Sequence, residues 1–296
     1  MPIQQKGSNA EIVTQYEMHT VEQLGLLKMD FLGLRNLSIV DRTLELIGSE
    51  SLDIDNLTLD DEKTFKLFAE GKMTGVFQLE SRVAQSTSRS LKPKRFEDIV
   101  ALVALIRPGP LGAGMHNEFA DRANNRKEIE YLHNDLESIL NETYGVILYQ
   151  EQVMQIAEKI AGFNLQEADN LRVAMGKKIP KVMEEQRKKF TDGAVSNNYS
   201  EQFAIELFDQ IAYFAGYGFN KSHSVPYALL AYQTAYLKAN YPAEYIAACL
   251  TAVKRDKDRT AIFLSEARDM GVKVSTPDVN LSSSDFTVND LSLIHI

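Results

Sequence analysis

Cysteine occurs once, at position 249, so the chain holds no disulfide framework and no cysteine-built zinc site. A reducing compartment is the expectation. No stretch approaches the roughly 18 uncharged apolar residues of a membrane-spanning helix, which argues against a helical membrane protein. The opening residues, MPIQQKGSNAEIV, lack the apolar centre of a secretion signal, and the chain reads as cytoplasmic. An excess of basic charge is missing too: 32 Lys and Arg against 41 Asp and Glu leave a net charge of −9. That argues against nucleic-acid binding by the whole surface, and leaves a single local cleft open. Internal repeats and low-complexity segments are absent.

What is present is ordinary globular material. The 296 residues are 44% apolar and 25% charged, enough for a sizeable core and about two domains of ~150 residues. Apolar side chains recur at helical spacing over 36–47, where Gly48 follows, and over 150–161, where Gly162 follows. Asp60 reads as the cap of a helix over 61–70 that Gly71 ends. Further helices are expected over 180–194, 200–214, 224–239, 242–252 and 258–270. Short strands are expected over 26–32, 74–79, 145–149 and 272–275. The segment 107–114 (RPGPLGAG) reads as a loop or a chain of turns.

Charge is unevenly spread. Residues 171–190 hold Arg172, Lys177, Lys178, Lys181, Arg187, Lys188 and Lys189 against only Glu184 and Glu185, whereas 50–62 hold six carboxylates and no base. The basic run fits a phosphate-facing surface, although charge alone favours a solvated amphipathic helix. On a strand over 26–32, Lys28 and Asp30 would share a face about 7 Å apart. Such a pair could hold a triphosphate and its metal, or could be the polar side of a half-buried strand. The stretch 216–222 (GYGFNKS) imitates the end of a phosphate loop, but Asn220 stands where glycine must precede the lysine, so a Walker reading fails. His223 follows it, just before a helix, and the turn fits either an anion site of cation, amide and hydroxyl at the helix N-terminus or a plain helix cap with Ser222 or Ser224 as cap residue. The aromatic series Tyr213, Phe214, Tyr217, Phe219, Tyr227, Tyr232 and Tyr236 fits base stacking or a core.

Several longer strings settle the family. KMDFLGLRNLS from 28, GVFQLES from 75, IRPGPLGAGM from 106, TYGVILYQEQVMQIA from 143, LRVAMGKKIP from 171 and FAGYGFNKSHSVPYALLAYQTAYLKANYPAEY from 214 occur in order. The chain resembles the alpha subunits of bacterial DNA polymerase III, the C-family replicative polymerases, from about residue 11 to 290. The resemblance implies a mainly helical α+β chain in four parts. These are the end of a polymerase-beta-like palm (1–48), fingers (49–240), the entry to a helix-hairpin-helix, duplex-binding region (241–290) and a tail (291–296). It implies template-directed DNA synthesis in chromosomal replication, by nucleotidyl transfer from a dNTP to the primer 3′-hydroxyl. Three aspartates of the family hold two magnesium ions. Asp30 matches the third, as catalytic residue and metal ligand, and the upstream pair does not occur in this sequence. Lys28 matches the palm lysine that faces the triphosphate. Arg172, Lys177 and Lys178 match the basic fingers segment that closes on the nucleotide, and Gly216, Asn220, Lys221, Ser222 and His223 match a string facing the same nucleotide. Primer–template DNA, dNTPs and other replicase subunits, including the sliding clamp, are the implied partners, with no membrane. Taken alone, the chain also fits a non-catalytic nucleotide- or DNA-binding module. The last six residues, LSLIHI, resemble a translated sequencing adapter and are expected to be a non-native tail that packs against nothing.

Overall fold

The computed structural model describes residues 1–7, 11–29, 33–48, 52–177, 180–215, 217–280, 282–289 and 292–294. The chain forms two compact units, Met1–Arg35 and Asn36–Ile296. The first holds an antiparallel pair, β1 (Ile3–Lys6) and β2 (Glu11–Thr14), in register from Ile3 opposite Thr14 to Lys6 opposite Glu11. Helix α1 (Met18–Gln23) follows, its first turn capped by the Glu17 carboxylate, which accepts from the N–H groups of His19 and Thr20. None of its described residues is buried, and Ile12, Leu27 and Met29 are more than half exposed. The strand expected over 26–32 is not formed over 26–29, which are irregular, and 30–32 lie outside the described residues. A strand is stabilised by a partner ladder, and none of the described residues pairs with 26–29.

The second unit is helical: α2 (Arg35–Ile47), α3 (Glu62–Glu70), α4 (Arg82–Leu91), α5 (Phe96–Leu105), α6 (Pro108–Gly112), α7 (Met115–Ala123), α8 (Glu137–Leu140), α9 (Gln150–Ala161), α10 (Leu165–Lys177), α11 (Pro180–Ser196), α12 (Glu201–Ala215), α13 (Lys221–Asn240), α14 (Pro242–Val253) and α15 (Lys257–Asp269). Its described strands are β3 (Lys273–Ser275), β4 (Thr287–Asn289) and β5 (Ser292–Ile294). The chain is thus a mainly helical α+β protein, as the sequence implies.

Two apolar clusters organise this unit. One gathers Phe68, Met73, Leu102, Phe119 and Tyr232 from α3, α5, α7, α13 and the turn after α3. The other gathers Ile156, Leu171, Phe190, Leu207 and Ile211 from α9 to α12. The extended segment 146–149 runs between them. Val146 and Leu148 enter the first cluster and Ile147 the second, because successive side chains of extended backbone point to opposite sides. The strand expected over 145–149 is here reduced to one parallel bridge, Tyr149 to Phe219.

Other expectations shift in informative ways. The cap of α3 is Asp61, not Asp60: its carboxylate accepts from the Thr64 N–H (2.8 Å) and from Asn240 Nδ2 (3.1 Å), while its own N–H donates to the Tyr232 hydroxyl. Residues 74–79 form turns rather than a strand. Pro108 opens one helical turn inside the expected loop, in the position where a missing N–H costs nothing. The tail also differs from expectation. Ser292–Ile294 pairs parallel to β3 and antiparallel to β4, as the central strand of a three-stranded sheet. Two edge strands with free N–H and C=O groups are a template for any extended segment within reach.

The single cysteine is fully buried in α14. Burial pushes the Cys249 thiol up to about 12, opposed by its contact with Tyr245. Burial likewise pushes the Tyr232 phenol up to about 12. Both groups keep their protons in the folded chain when the unfolded chain has already lost them. Their contribution is therefore complete below the ordinary thiol value and disappears as pH rises through about 12. The denaturation midpoint in urea is expected to fall steeply between about pH 9 and pH 11, and Cys249→Ala is expected to flatten that slope. A midpoint unchanged across this range would show that neither group titrates differently on folding.

Candidate functional site

The first turn of α9 is the hub of the site. Upstream of it, the buried Gln152 amide oxygen accepts from the N–H groups of Leu148 and Tyr149, and its nitrogen donates to Thr143 Oγ1 at 2.8 Å. That fixes the approach of the chain. Gln150 then donates its N–H to Phe219 O (2.9 Å) and its amide to Gly218 O (3.3 Å), while Phe219 N–H returns to Leu148 O. Glu151 accepts from the N–H of Lys221 at 2.9 and 3.0 Å and from that of Ser222 at 3.4 Å. Two consecutive residues therefore hold the string 218–222 in place.

The start of α13 differs from the sequence reading. Asn220, not Ser222 or Ser224, is the cap, accepting from the His223 N–H at 2.9 Å. Ser224 is buried and donates to Val100 O instead. The helix N-terminus does attract an anion, as its free N–H groups should, and the anion is the protein's own Glu151. The Lys221 ammonium is likewise engaged, by Glu142 at 2.6 Å, and lies over the Tyr149 ring. Burial, with Glu142 and Glu151 next, pushes the Tyr149 phenol far up.

Arg172 approaches from α10. Its guanidinium pairs with Asp169 (2.8 Å), and Nη1 reaches Gln150 Oε1 at 3.5 Å. Arg172 and the string 218–222 thus meet on the same residue, although about 45 positions separate them. Lys177 ends α10. Lys178, Gly216 and Asp30 lie outside the described residues. Lys28 belongs to the first unit, exposed in irregular backbone. His223 and Ser222 are exposed, and the His223 ring lies 4.3 Å from Tyr227 and 5.6 Å from Phe219. Of the aromatic series, Tyr232 is core and Tyr213 is exposed.

Sequence reasoning missed Arg107. Its guanidinium lies over the Phe219 ring at 4.3 Å and donates to Ala104 O (2.9 Å) and Tyr217 O (2.5 Å). Gly109 completes the lock, since a Cβ there would stand 2.2 Å from the Tyr217 ring. The usable signal was an arginine beside a Pro-Gly-Pro turn that tolerates no side chain. A cleft of about 930 Å³, walled by Met115, Leu136, Tyr213 and Phe214, lies elsewhere in this unit. It carries Tyr213 and Phe214 of the aromatic series and none of the residues matched to the family's nucleotide site.

Residues 36–198 match the family model of the bacterial DNA polymerase III alpha subunit finger domain, and residues 1–33 that of the bacterial DNA polymerase III alpha NTPase domain. The chain belongs to the bacterial DNA polymerase III alpha-subunit family. Among its relatives, DNA polymerase III subunit alpha of Escherichia coli K12 is 48% identical over 290 residues, covering 94% of this chain and 25% of that protein. The subunit of Mycobacterium tuberculosis H37Rv is 45% identical over 293 residues, covering 97% of this chain and 25% of that protein. That of Buchnera aphidicola is 47% identical over 298 residues, at 97% and 26%. The chain spans about a quarter of the length of these relatives.

Within the polymerase III alpha family match, the finger segment takes in α2 to α11 and hence Arg172 and Lys177, while Lys28 and Asp30 fall in the other. Among the described residues no three His, Cys, Asp or Glu side chains gather closely enough to hold a metal ion. By themselves they form no complete site for the magnesium that family resemblance implies. No helix among the described residues is long and apolar enough to cross a membrane.

Proposed function

We propose that this chain is the nucleotide-handling part of a replicative DNA polymerase catalytic subunit. In the whole subunit it would serve template-directed DNA synthesis, with a dNTP as donor and the primer 3′-hydroxyl as acceptor. Residues 1–48 would close the palm, 49–240 form the fingers and 241–290 lead into the duplex-binding region. Lys28, Arg172, Lys177, Lys178, Gly216, Asn220, Lys221, Ser222 and His223 would surround the nucleotide, and Asp30 would serve the chemistry with upstream residues and magnesium. Primer–template DNA, dNTPs and replicase subunits including the sliding clamp are the proposed partners, in the cytoplasm. By itself the chain would bind and not catalyse.

The observation that supports this most is the meeting of Arg172 and the 218–222 string on Gln150. It brings Arg172 of α10 and the residues just before α13 onto one side chain, in an acidic protein whose densest positive charge lies in 171–190. Lys221 is neutralised by Glu142 and Arg172 pairs with Asp169, so a triphosphate would reach Arg172 by displacing the Asp169 carboxylate. In a catalytic subunit carrying the full palm, Arg172→Ala is expected to raise the dNTP KM by about ten- to a hundredfold, with a smaller change in kcat. Charge-assisted hydrogen bonds to phosphate are the strong ones, at roughly 1.5–3 kcal/mol. Kinetics equal to those of the parent would remove Arg172 from the nucleotide site.

A further inference from the structure

A small cavity of about 140 Å³ lies under His223, and its polar lining is unusual. Gln78, Arg107, His223 and Tyr227 all border it, with Leu79 and Ile106 among the apolar walls and no carboxylate. Each polar group is held there by something specific. Gln78 sits exposed at φ 62, a left-handed conformation that a residue with a Cβ adopts at a cost. The turn that imposes it is fixed from below: Phe77 N–H donates to Thr234 Oγ1, and the Lys238 ammonium grips Lys72 O and Thr74 O. Arg107 is clamped by two backbone carbonyls and the Phe219 ring, which leaves Nη1 unspent. The His223 and Tyr227 rings meet at 4.3 Å, tilted by 41°, and Tyr227 packs on the buried Phe77 ring at 5.3 Å. The side chains of Gln78, His223 and Tyr227 have no hydrogen bond to any described residue.

We propose that these four side chains form a base-edge site, which takes the acceptor-bearing minor-groove edge of a base pair at the growing end of the duplex. The proposal rests on the polymerase reading above and adds the residues that would examine the pair. The amide, the hydroxyl, the imidazole and the free guanidinium nitrogen can all donate, so the matching ligand offers acceptors. Purine N3 and pyrimidine O2 lie on the minor-groove side of every correct pair. Donors alone can therefore engage all four pairs alike, which a copying enzyme requires. A phosphate fits less well. Three of the four groups carry no fixed charge, and the one that does has given two N–H groups and a ring face to the protein. His223 and Tyr227, tilted by 41° to each other at 4.3 Å, supply aromatic surface beside the donors against which a base can pack.

The test is single-nucleotide incorporation by a full-length catalytic subunit carrying this segment. The template presents guanine or 3-deazaguanine, which lacks the N3 acceptor, first at the copied position and then in the terminal pair. The parent is expected to lose about tenfold in kcat/KM on the analogue in at least one position, the scale of one desolvated hydrogen bond. Gln78→Ala is expected to lose about tenfold on guanine and to show little further loss on the analogue. Thermal unfolding equal to the parent's confirms that this exposed substitution leaves the fold intact. If the parent copies both templates equally, or if Gln78→Ala loses the same factor on each, as a phosphate contact would give, the base-edge site is wrong. Failure of the parent to extend even the guanine template would instead overturn the polymerase reading.

Discussion

Replacing Lys238 with methionine is expected to destabilise the folded chain by about 3–5 kcal/mol, the usual cost of removing one partner from a buried ion pair. The side chain is wholly buried in α13, and its ammonium donates to Lys72 O at 2.7 Å, Thr74 O at 2.8 Å and Glu266 Oε1 at 2.6 Å. Burial pulls the Lys238 pKa below the ordinary lysine value, and Glu266 opposes the shift. Methionine fills much of the volume but leaves a half-enclosed carboxylate and two carbonyls without a donor, and those unmet groups dominate the cost. Glu266→Gln added to Lys238→Met should recover part of the loss, since it removes the stranded charge. Urea denaturation of the three proteins measures both effects. A loss below about 1 kcal/mol for Lys238→Met would show that water relieves the pair and that it does not hold the 72–79 turn.

Much of this fold is legible in the sequence where local chemistry fixes it. Helix α9 runs over the expected residues because its apolar spacing and the glycine at its end, Gly162 at φ 68, agree. Helix α5 gives no such signal. Nearly every residue from Asp98 to Leu105 is buried, so an apolar stripe has no polar side to contrast with. Helix α4 is hidden for another reason. Its Ser and Thr residues are weak helix formers, and it exists because Ser81 caps it and Ser88 can sit buried against Phe68 O.

The site divides the same way. The basic run and the 214–223 string can be read one at a time, and their adjacency cannot, because Gln150 joins them through tertiary contacts. Nor does spacing alone show that Glu142 and Glu151 would occupy the cationic end of α13. The six carboxylates of 50–62 are the conspicuous acidic feature of the sequence, and the two that matter here stand singly, in 143–157 and just before it. The tail 291–296 has the opposite fault: a string expected to pack against nothing still contains three residues able to complete a ladder.

If these residues handle a nucleotide for chemistry completed elsewhere in a longer subunit, primer extension will show it. Three proteins are compared with primer–template DNA, magnesium and all four dNTPs: this 296-residue chain, a chain continued upstream as in the relatives, and that longer chain with Asp30→Asn. Asp30 is the one residue here that family resemblance places among three catalytic aspartates. Loss of its charge should therefore abolish synthesis in the longer protein, a fall of at least a thousandfold on the order expected for a group essential to phosphoryl transfer. Extended primer is expected from the second protein and none from the first or third. Extended primer from the 296-residue chain alone would contradict the proposed function.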